Sequence, residues 1–140
     1  MTNPVDLVEI ESRPDAVAAI CSPCYTFAML AAVVVTTDEY EAWYSSLDAA
    51  EQAAVINVVT TLRVLGYELA APHSAALEGT DLPLRELRPK QGRSPLRIVY
   101  AFDPVRQAVL LIGGDKAGDR KFYRRIVVAA EQIWREYLSS

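Results

Sequence analysis

Residues that hold metals or form disulfides are scarce in this chain of 140 residues, which has two cysteines, Cys21 and Cys24, and one histidine, His73. Two cysteines are too few to form the set of disulfides that stabilises a small secreted fold. Their Cys-Ser-Pro-Cys spacing supplies only half of a zinc site. We therefore expect no metal, no cofactor and a reducing, cytoplasmic environment. A redox role for Cys21 and Cys24 is a lesser alternative, because no thioredoxin-like strand precedes them.

Long apolar runs are also missing. The longest uncharged segment, Ala16 to Thr37, is interrupted by Ser22 and Pro23, and the residues before it are acidic. A membrane span needs about 20 predominantly apolar residues, and an export signal needs a cationic start. The sequence therefore predicts neither membrane contact nor export. The glycine-rich segment 113–118 also lacks the Gly-Lys-Ser/Thr ending of a nucleotide-binding P-loop.

Basic residues are nearly absent from the first part of the chain. Up to Leu82 there are 2 basic and 12 acidic residues, whereas from Pro83 onward there are 12 basic and 6 acidic ones. The formal net charge of −4 therefore hides a basic second part. This asymmetry predicts that a polyanion, or an acidic partner protein, meets one face of the molecule. A solvated surface with uneven charge is the alternative.

Local patterns divide the chain into an N-terminal extension and one domain. Residues 1–30 contain three prolines and no regular hydrophobic period, which predicts a flexible extension or a segment upstream of the true start. Residues 31–140 carry the periodic signals. The β-branched stretch 31–37 predicts a strand, and Asp48 with Glu51 has the spacing of a capping box at the start of a long helix.

The second part of the domain predicts a sheet followed by a helix. Three β-like runs are separated by short, turn-rich linkers, which favours an antiparallel meander. These runs are Leu84–Arg88, Leu96–Phe102 and Ala108–Ile112. Asp119 is predicted to begin an amphipathic last helix. Together the elements predict an α+β fold in which a small, antiparallel-rich sheet packs a helical hairpin and a C-terminal helix on one face.

Strand alternation predicts which basic side chains point away from the core. If Ile98 and Tyr100 face the helices, Arg97 faces the open side of the sheet. In the preceding run Leu87 is expected to face the helices, which places Glu86 and Arg88 on the open side. Arg85 then points to the opposite face and is a weaker candidate. A surface salt bridge between Arg88 and Glu86 is the structural alternative.

The start of the last helix is unusually basic, with Arg120, Lys121, Arg124 and Arg125. Cations in a first turn oppose the helix dipole, so their presence is easier to understand if an anion binds there. A solvated basic face is the alternative.

Four short sequence segments, taken in their order along the chain, resemble the RelE/HigB toxins, most closely the phage-derived, HigB-like branch. They are Arg85-Glu-Leu-Arg88, Leu96-Arg-Ile-Val-Tyr-Ala-Phe-Asp-Pro104, Leu110-Leu-Ile-Gly-Gly-Asp-Lys116 and Lys121-Phe-Tyr123. The resemblance covers roughly residues 33–138 and implies a RelE-like fold in a toxin of a type II toxin–antitoxin pair that cleaves messenger RNA, commonly on the ribosome. It also implies a cognate antitoxin, often of the helix-turn-helix type, through which alone the toxin contacts operator DNA.

The resemblance assigns functional positions to Arg88, Arg97 and Lys116, and with them Lys121 and Tyr123. We therefore predict Arg88, Arg97, Lys116 and Tyr123 as catalytic residues. The predicted RNA-binding residues are Arg85, Arg120, Lys121 and Arg124.

The chemistry of RNA cleavage is consistent with these residue types. Attack of a 2′-hydroxyl on phosphorus needs a base, stabilisation of added charge and a proton for the leaving oxygen. Arginine suits only the second task. Lys116 beside Arg88 and Arg97 is a candidate base or acid, because like charges favour the neutral amine, and Tyr123 is an alternative acid or a stacking platform.

Two expectations follow from the lack of a histidine pair. The isolated protein is expected to be a poor nuclease, so the ribosome is expected to position the substrate. A non-catalytic module on the same fold that binds nucleic acid or protein is the alternative.

Overall fold

The computed structural model describes residues 31–89 and 95–140, so the predicted extension over residues 1–30 lies outside the described residues. The described residues form one five-stranded sheet with helices packed against it. The strands are β1 (Val34–Thr36), β2 (Ser74–Ala76), β3 (Arg85–Leu87), β4 (Leu96–Phe102) and β5 (Ala108–Asp115). The helices are α1 (Asp38–Ser45), α2 (Ala49–Leu65) and α3 (Phe122–Ser139), with a 3-10 turn at Gly66–Glu68.

The sheet has the strand order β1-β5-β4-β3-β2. The predicted meander is confirmed, since β3, β4 and β5 pair antiparallel in sequence order. At one edge β1 runs parallel to β5. At the other edge β2 pairs antiparallel with β3, although its Ser-Ala-Ala sequence has little β propensity and is not among the predicted strands. Tertiary contacts hold it, because the Ser74 hydroxyl hydrogen-bonds the buried Tyr100 hydroxyl at 2.7 Å.

Helix α2 begins at the predicted capping box. The amide of Glu51 donates to Asp48 Oδ1 at 2.8 Å, and the amide of Asp48 donates to Glu51 Oε1 at 3.0 Å. These two bonds complete a capping box. At the other end Gly66 adopts a φ of 56°, where a residue with a Cβ is strained.

Helices cover both faces of the sheet. Helices α1 and α2 pack on the face that presents Leu87, Ile98, Tyr100 and Leu110. Helix α3 packs on the opposite face, against Val99, Ala101, Val109 and Leu111. The predicted α+β class and antiparallel-rich sheet are confirmed, whereas the placement of all helices on one face differs from the structure. The physical reason is that β4 and β5 carry apolar side chains on both of their faces, so both faces of the sheet must be buried.

The end of β5 and the start of α3 also differ from the prediction. Strand β5 continues to Asp115 instead of ending at Ile112, because Gly113 and Gly114 leave room for aromatic rings. A Cβ on Gly113 would lie 2.3 Å from Trp43 Cε3, and one on Gly114 would lie 2.7 Å from Phe122 Cε1. Helix α3 begins three residues after Asp119, at Phe122. None of the helices described is long and apolar enough to cross a bilayer.

Candidate active site

A buried carboxylate, Glu86, lies at the centre of the predicted site and is 4% exposed. Its Oε2 accepts hydrogen bonds from Nε and Nη2 of Arg88 at 3.0 and 2.7 Å. Its Oε1 accepts from the Tyr123 hydroxyl at 2.8 Å and lies 3.9 Å from Arg97 Nε. Three of the four predicted catalytic residues therefore meet at one carboxylate.

The sheet register explains why these side chains meet. Glu86 pairs with Val99 across the antiparallel β3–β4 ladder, so Arg88, two residues later, falls opposite Arg97, two residues earlier. Strand alternation puts these side chains on the face that α3 covers. Tyr123, in the first turn of α3, completes the group. We call Glu86, Arg88, Arg97 and Tyr123 the Glu86 cluster.

Within the Glu86 cluster the two arginines differ in exposure. The Arg88 side chain is 38% exposed, whereas that of Arg97 is 15% exposed. Arg97 Nη1 also donates to the carbonyl oxygen of Leu96 at 2.7 Å. Gly114 pairs with Arg97 on β5 and adds no side chain there. Arg97 is thus held in place, and Arg88 is the arginine more open to a ligand.

Tyr123 keeps its proton well above neutral pH. Burial raises the pKa of its hydroxyl, and the hydrogen bond and negative charge of Glu86 raise it further, while Arg97 acts in the opposite direction. The phenol is therefore a hydrogen-bond donor at pH 7. Its residue is 37% exposed, so the ring also offers a surface to a ligand.

The Glu86 cluster opens into a cleft of about 380 Å³. The cleft is lined by Ala75–Leu77 of the β2 edge and by Glu78, Glu86, Arg88 and Tyr123. Two arginines and one buried carboxylate give the cluster a formal charge of +1, but the cleft itself is lined by Arg88 with Glu86 and Glu78. Arg88 is therefore the group in the cleft that favours an anion.

Lys116 does not join the Glu86 cluster. It follows the end of β5, where its amide donates to the Pro95 carbonyl at 3.1 Å. Its side chain makes no hydrogen bond or ion pair with residues 31–89 or 95–140. The expectation that it lies crowded by Arg88 and Arg97 is therefore not supported by a contact among these residues.

Arg85 lies on the wrong face for the predicted RNA site. Its Nε donates to Ser74 Oγ at 3.2 Å and to the Tyr100 hydroxyl at 3.3 Å, on the side that α1 and α2 cover. The physical reason is strand alternation, since Arg85 and Glu86 are adjacent in β3 and must point in opposite directions. Arg85 therefore points away from the Glu86 cluster, as strand alternation predicts, and its contact with RNA stays a prediction.

The other predicted RNA-binding residues are exposed beside Tyr123. Arg120 and Lys121 precede α3 instead of opening it, and Arg124 lies in its first turn. The amide of Lys121 donates to Asp119 Oδ1 at 3.0 Å, and Arg125 forms an ion pair with Asp119. Asp119 therefore neutralises one cation of this basic turn and leaves Arg120, Lys121 and Arg124 facing solvent.

Sequence reasoning missed the central role of Glu86. The alternation of β3 placed it beside Arg88, and a salt bridge between the two was considered, but its contacts with Tyr123 and Arg97 depend on the packing of α3. In the part of the chain that the structure describes, no three His, Cys, Asp or Glu side chains are grouped as metal ligands.

Comparison with known proteins adds independent findings. A family model described as phage-derived protein Gp49-like (DUF891) matches residues 42–135. The chain is 33% identical over 132 residues to the putative toxin HigB2 of Mycobacterium tuberculosis, covering 92% of this chain and 64% of that protein. It is 34% identical over 109 residues to the putative toxin HigB3 of the same organism, covering 76% of this chain and 94% of that protein.

Among solved structures, the crystal structure of a copper-bound mutant toxin from Helicobacter pylori aligns with a TM-score of 0.44 and 20% identity. The alignment covers 59% of this chain and 91% of that one.

Proposed function

The chain belongs to the phage-derived Gp49-like family of HigB-type toxins, and on this premise we propose that it is a toxin that cleaves messenger RNA. The observation that carries the proposal is the Glu86 cluster, in which two arginines and a protonated tyrosine meet at one carboxylate, with Arg88 and Tyr123 lining the open cleft. These groups supply charge stabilisation and a proton, which are two of the three requirements of phosphodiester cleavage.

The arginines bind the scissile phosphate. A guanidinium has five N–H donors, and Arg88 commits those on Nε and Nη2 to Glu86, so others are left for phosphate oxygens. Arg88 and Arg97 adjoin Leu87 and Ile98, which pair across the ladder. As the phosphorus becomes five-coordinate and gains negative charge, these fixed cations stabilise it more than they stabilise the ground state.

Tyr123 and Lys116 are the residues proposed to transfer protons during cleavage. Tyr123 holds its proton at neutral pH and gives it to the leaving 5′-oxygen, and Glu86 orients the hydroxyl. Lys116 stays the proposed base, whose uncharged amine takes the 2′-hydroxyl proton and becomes an ammonium; it lies two residues beyond Gly114, the residue that pairs with Arg97. Because its side chain makes no hydrogen bond or ion pair with the described residues, substrate positioning by the ribosome is part of the proposal.

The basic turn beside the cluster supplies affinity for the RNA backbone through Arg120, Lys121 and Arg124. An antitoxin, of the helix-turn-helix type in our proposal, neutralises the toxin in the cytoplasm by covering this surface with acidic residues. Contact with operator DNA then runs only through the antitoxin.

Expression of Arg97→Ala tests the proposal. Wild-type protein, induced in bacteria without an antitoxin, is expected to arrest growth and to create new 5′ ends in transcripts. Losing one fixed charge at the phosphate is expected to lower cleavage by about 100-fold or more. Arg135→Ala is the matched control, because Arg135 is 65% exposed in the penultimate turn of α3 and its side chain forms an ion pair with Glu131. Intact transcripts with wild type, or equal cleavage with Arg97→Ala, would overturn the proposal.

A second candidate is a non-catalytic module that binds nucleic acid or protein. It is favoured by one observation, that Glu86 already engages the donors of Arg88 and Tyr123 as a structural ion-pair network would. This module would retain RNA without cutting it, and Arg97→Ala would be as harmful to growth as wild type.

A further inference from the structure

The cleft beside the Glu86 cluster is lined by small side chains along strand β2. Its β2 edge presents Ala75 and Ala76, whose methyl groups leave the cleft at about 380 Å³. Binding clefts of small molecules start near about 300 Å³, so this one is large enough for part of a nucleotide. Strand β2 is an edge strand of the sheet, and within the described residues no further strand pairs with its outer side.

One wall of the cleft is the ring of Tyr123. Its hydroxyl is bonded to Glu86 Oε1 at 2.8 Å, and its ring packs edge-on against Phe122 at a centroid distance of 5.1 Å. A fixed, half-exposed aromatic ring is a stacking surface for an unpaired base. The phosphate ligand Arg88 lines the same cleft. A nucleotide whose phosphate lies on Arg88 therefore has its base within reach of Tyr123.

The remaining polar group at the rim is the carboxylate of Glu78. Within the described parts of the chain, Glu78 makes no side-chain hydrogen bond or ion pair. Its position is nevertheless fixed by the loop that carries it. The amide of Leu77 donates to the Leu84 carbonyl at 3.0 Å, and the Thr80 hydroxyl is bonded to Glu131 of α3.

We propose that this cleft is a nucleobase subsite in which Glu78 selects the base, with guanine preferred and uracil disfavoured. A carboxylate repels phosphate but accepts hydrogen bonds from amino and ring N–H groups. Guanine presents an N1–H and an N2 amino group side by side, which match both carboxylate oxygens. Uracil presents carbonyl oxygens on both sides of its only ring N–H, and they repel the carboxylate. This inference rests on the proposed cleavage of RNA, because Arg88 sets where the phosphate lies.

The test is a binding measurement on the purified full chain. The probes are dye-labelled pentanucleotides of sequence UUXUU, with 2′-fluoro groups that prevent cleavage and X as each of the four bases. Fluorescence anisotropy is expected to give a Kd about tenfold lower for X = G than for X = U. Glu78→Gln is expected to reduce this ratio to about twofold, because the neutral amide presents a donor where the second oxygen was. Glu68→Gln, an exposed glutamate that does not line the cleft, is the control and keeps the full ratio.

The same variants are then compared in cells by mapping 5′ ends. The subsite is refuted if wild type binds all four probes within about twofold, or if Glu78→Gln keeps the tenfold ratio. If the ratio behaves as expected but no transcript is cut, the subsite stands and the proposed nuclease fails. If transcripts are cut while the binding ratio is flat, the nuclease stands and the subsite fails.

Discussion

Glu86→Gln is the substitution that most directly tests the role of the Glu86 cluster. The change keeps the size of the side chain and removes its charge. Glutamine offers one oxygen, so it can still accept from Tyr123, but its NH₂ group then faces the donors of Arg88. Arg97, which is mostly buried with 15% of its side chain exposed, loses the nearby negative charge of the buried Glu86 as well.

The structure sets the size of the effect. A hydrogen bond to a charged group contributes about 1.5–3 kcal/mol, and the exposure of Arg88 reduces the share of its pair to about 2 kcal/mol. Loss of the Arg97 pairing adds about 1 kcal/mol, because breaking a buried pair leaves a desolvated charge behind. We therefore expect Glu86→Gln to lower the free energy of unfolding by about 3 kcal/mol.

Urea denaturation followed by circular dichroism measures this loss. With an m-value of about 1.5 kcal/mol/M, the midpoint is expected to fall by about 2 M. Glu136→Gln, on an exposed part of α3, is the matched control and is expected to change stability by less than about 0.5 kcal/mol. A midpoint for Glu86→Gln within about 0.3 M of wild type would show that the cluster is not a stabilising network and would refute the reasoning.

Two further predictions concern the scaffold. Burial alone would raise the pKa of Asp103, but hydrogen bonds from Gln107, Tyr137 and Val105 outweigh it and lower the pKa below 3.8. The stability that these bonds contribute is present above pH 3.8 and is lost as pH falls through the lower folded-state pKa. Asp103→Asn is therefore expected to lower the free energy of unfolding by about 2 kcal/mol at pH 7. In urea titrations the difference in stability between the variant and wild type is expected to become smaller in acid. A difference that does not change with pH would contradict this reasoning. Gly113→Ala is expected to cost about 2 kcal/mol, because its Cβ would lie 2.3 Å from Trp43 Cε3. In a Trp43→Leu background the cost is expected to shrink, and an equal cost in both backgrounds would exclude this clash as the cause.

Local signals in the sequence were enough to predict much of the scaffold. The capping box of Asp48 and Glu51 predicted the start of α2, because a cap is made by residues a few positions apart. The meander of β3, β4 and β5 followed from short linkers between β-like runs. The RelE/HigB resemblance is confirmed by the matching family and relatives.

Elements that depend on distant partners were not predicted. Strand β2 has no β-forming sequence and exists because β3 pairs with it. The coverage of both sheet faces depends on where α3 packs, and the extension of β5 depends on rings from Trp43 and Phe122. In each case the free energy comes from contacts between segments far apart in the chain, which leave no local pattern.

The sequence likewise predicted one part of the candidate site, and the tertiary structure decided the other part. The sequence by itself determined that Arg88 and Arg97 share a sheet face and that Arg85 does not, because side-chain alternation is a property of each strand alone. Only the tertiary structure decided that Glu86 gathers both arginines and Tyr123, and that Lys116 stands apart from them. Those contacts require the β3–β4 register and the docking of α3, which many side chains set together.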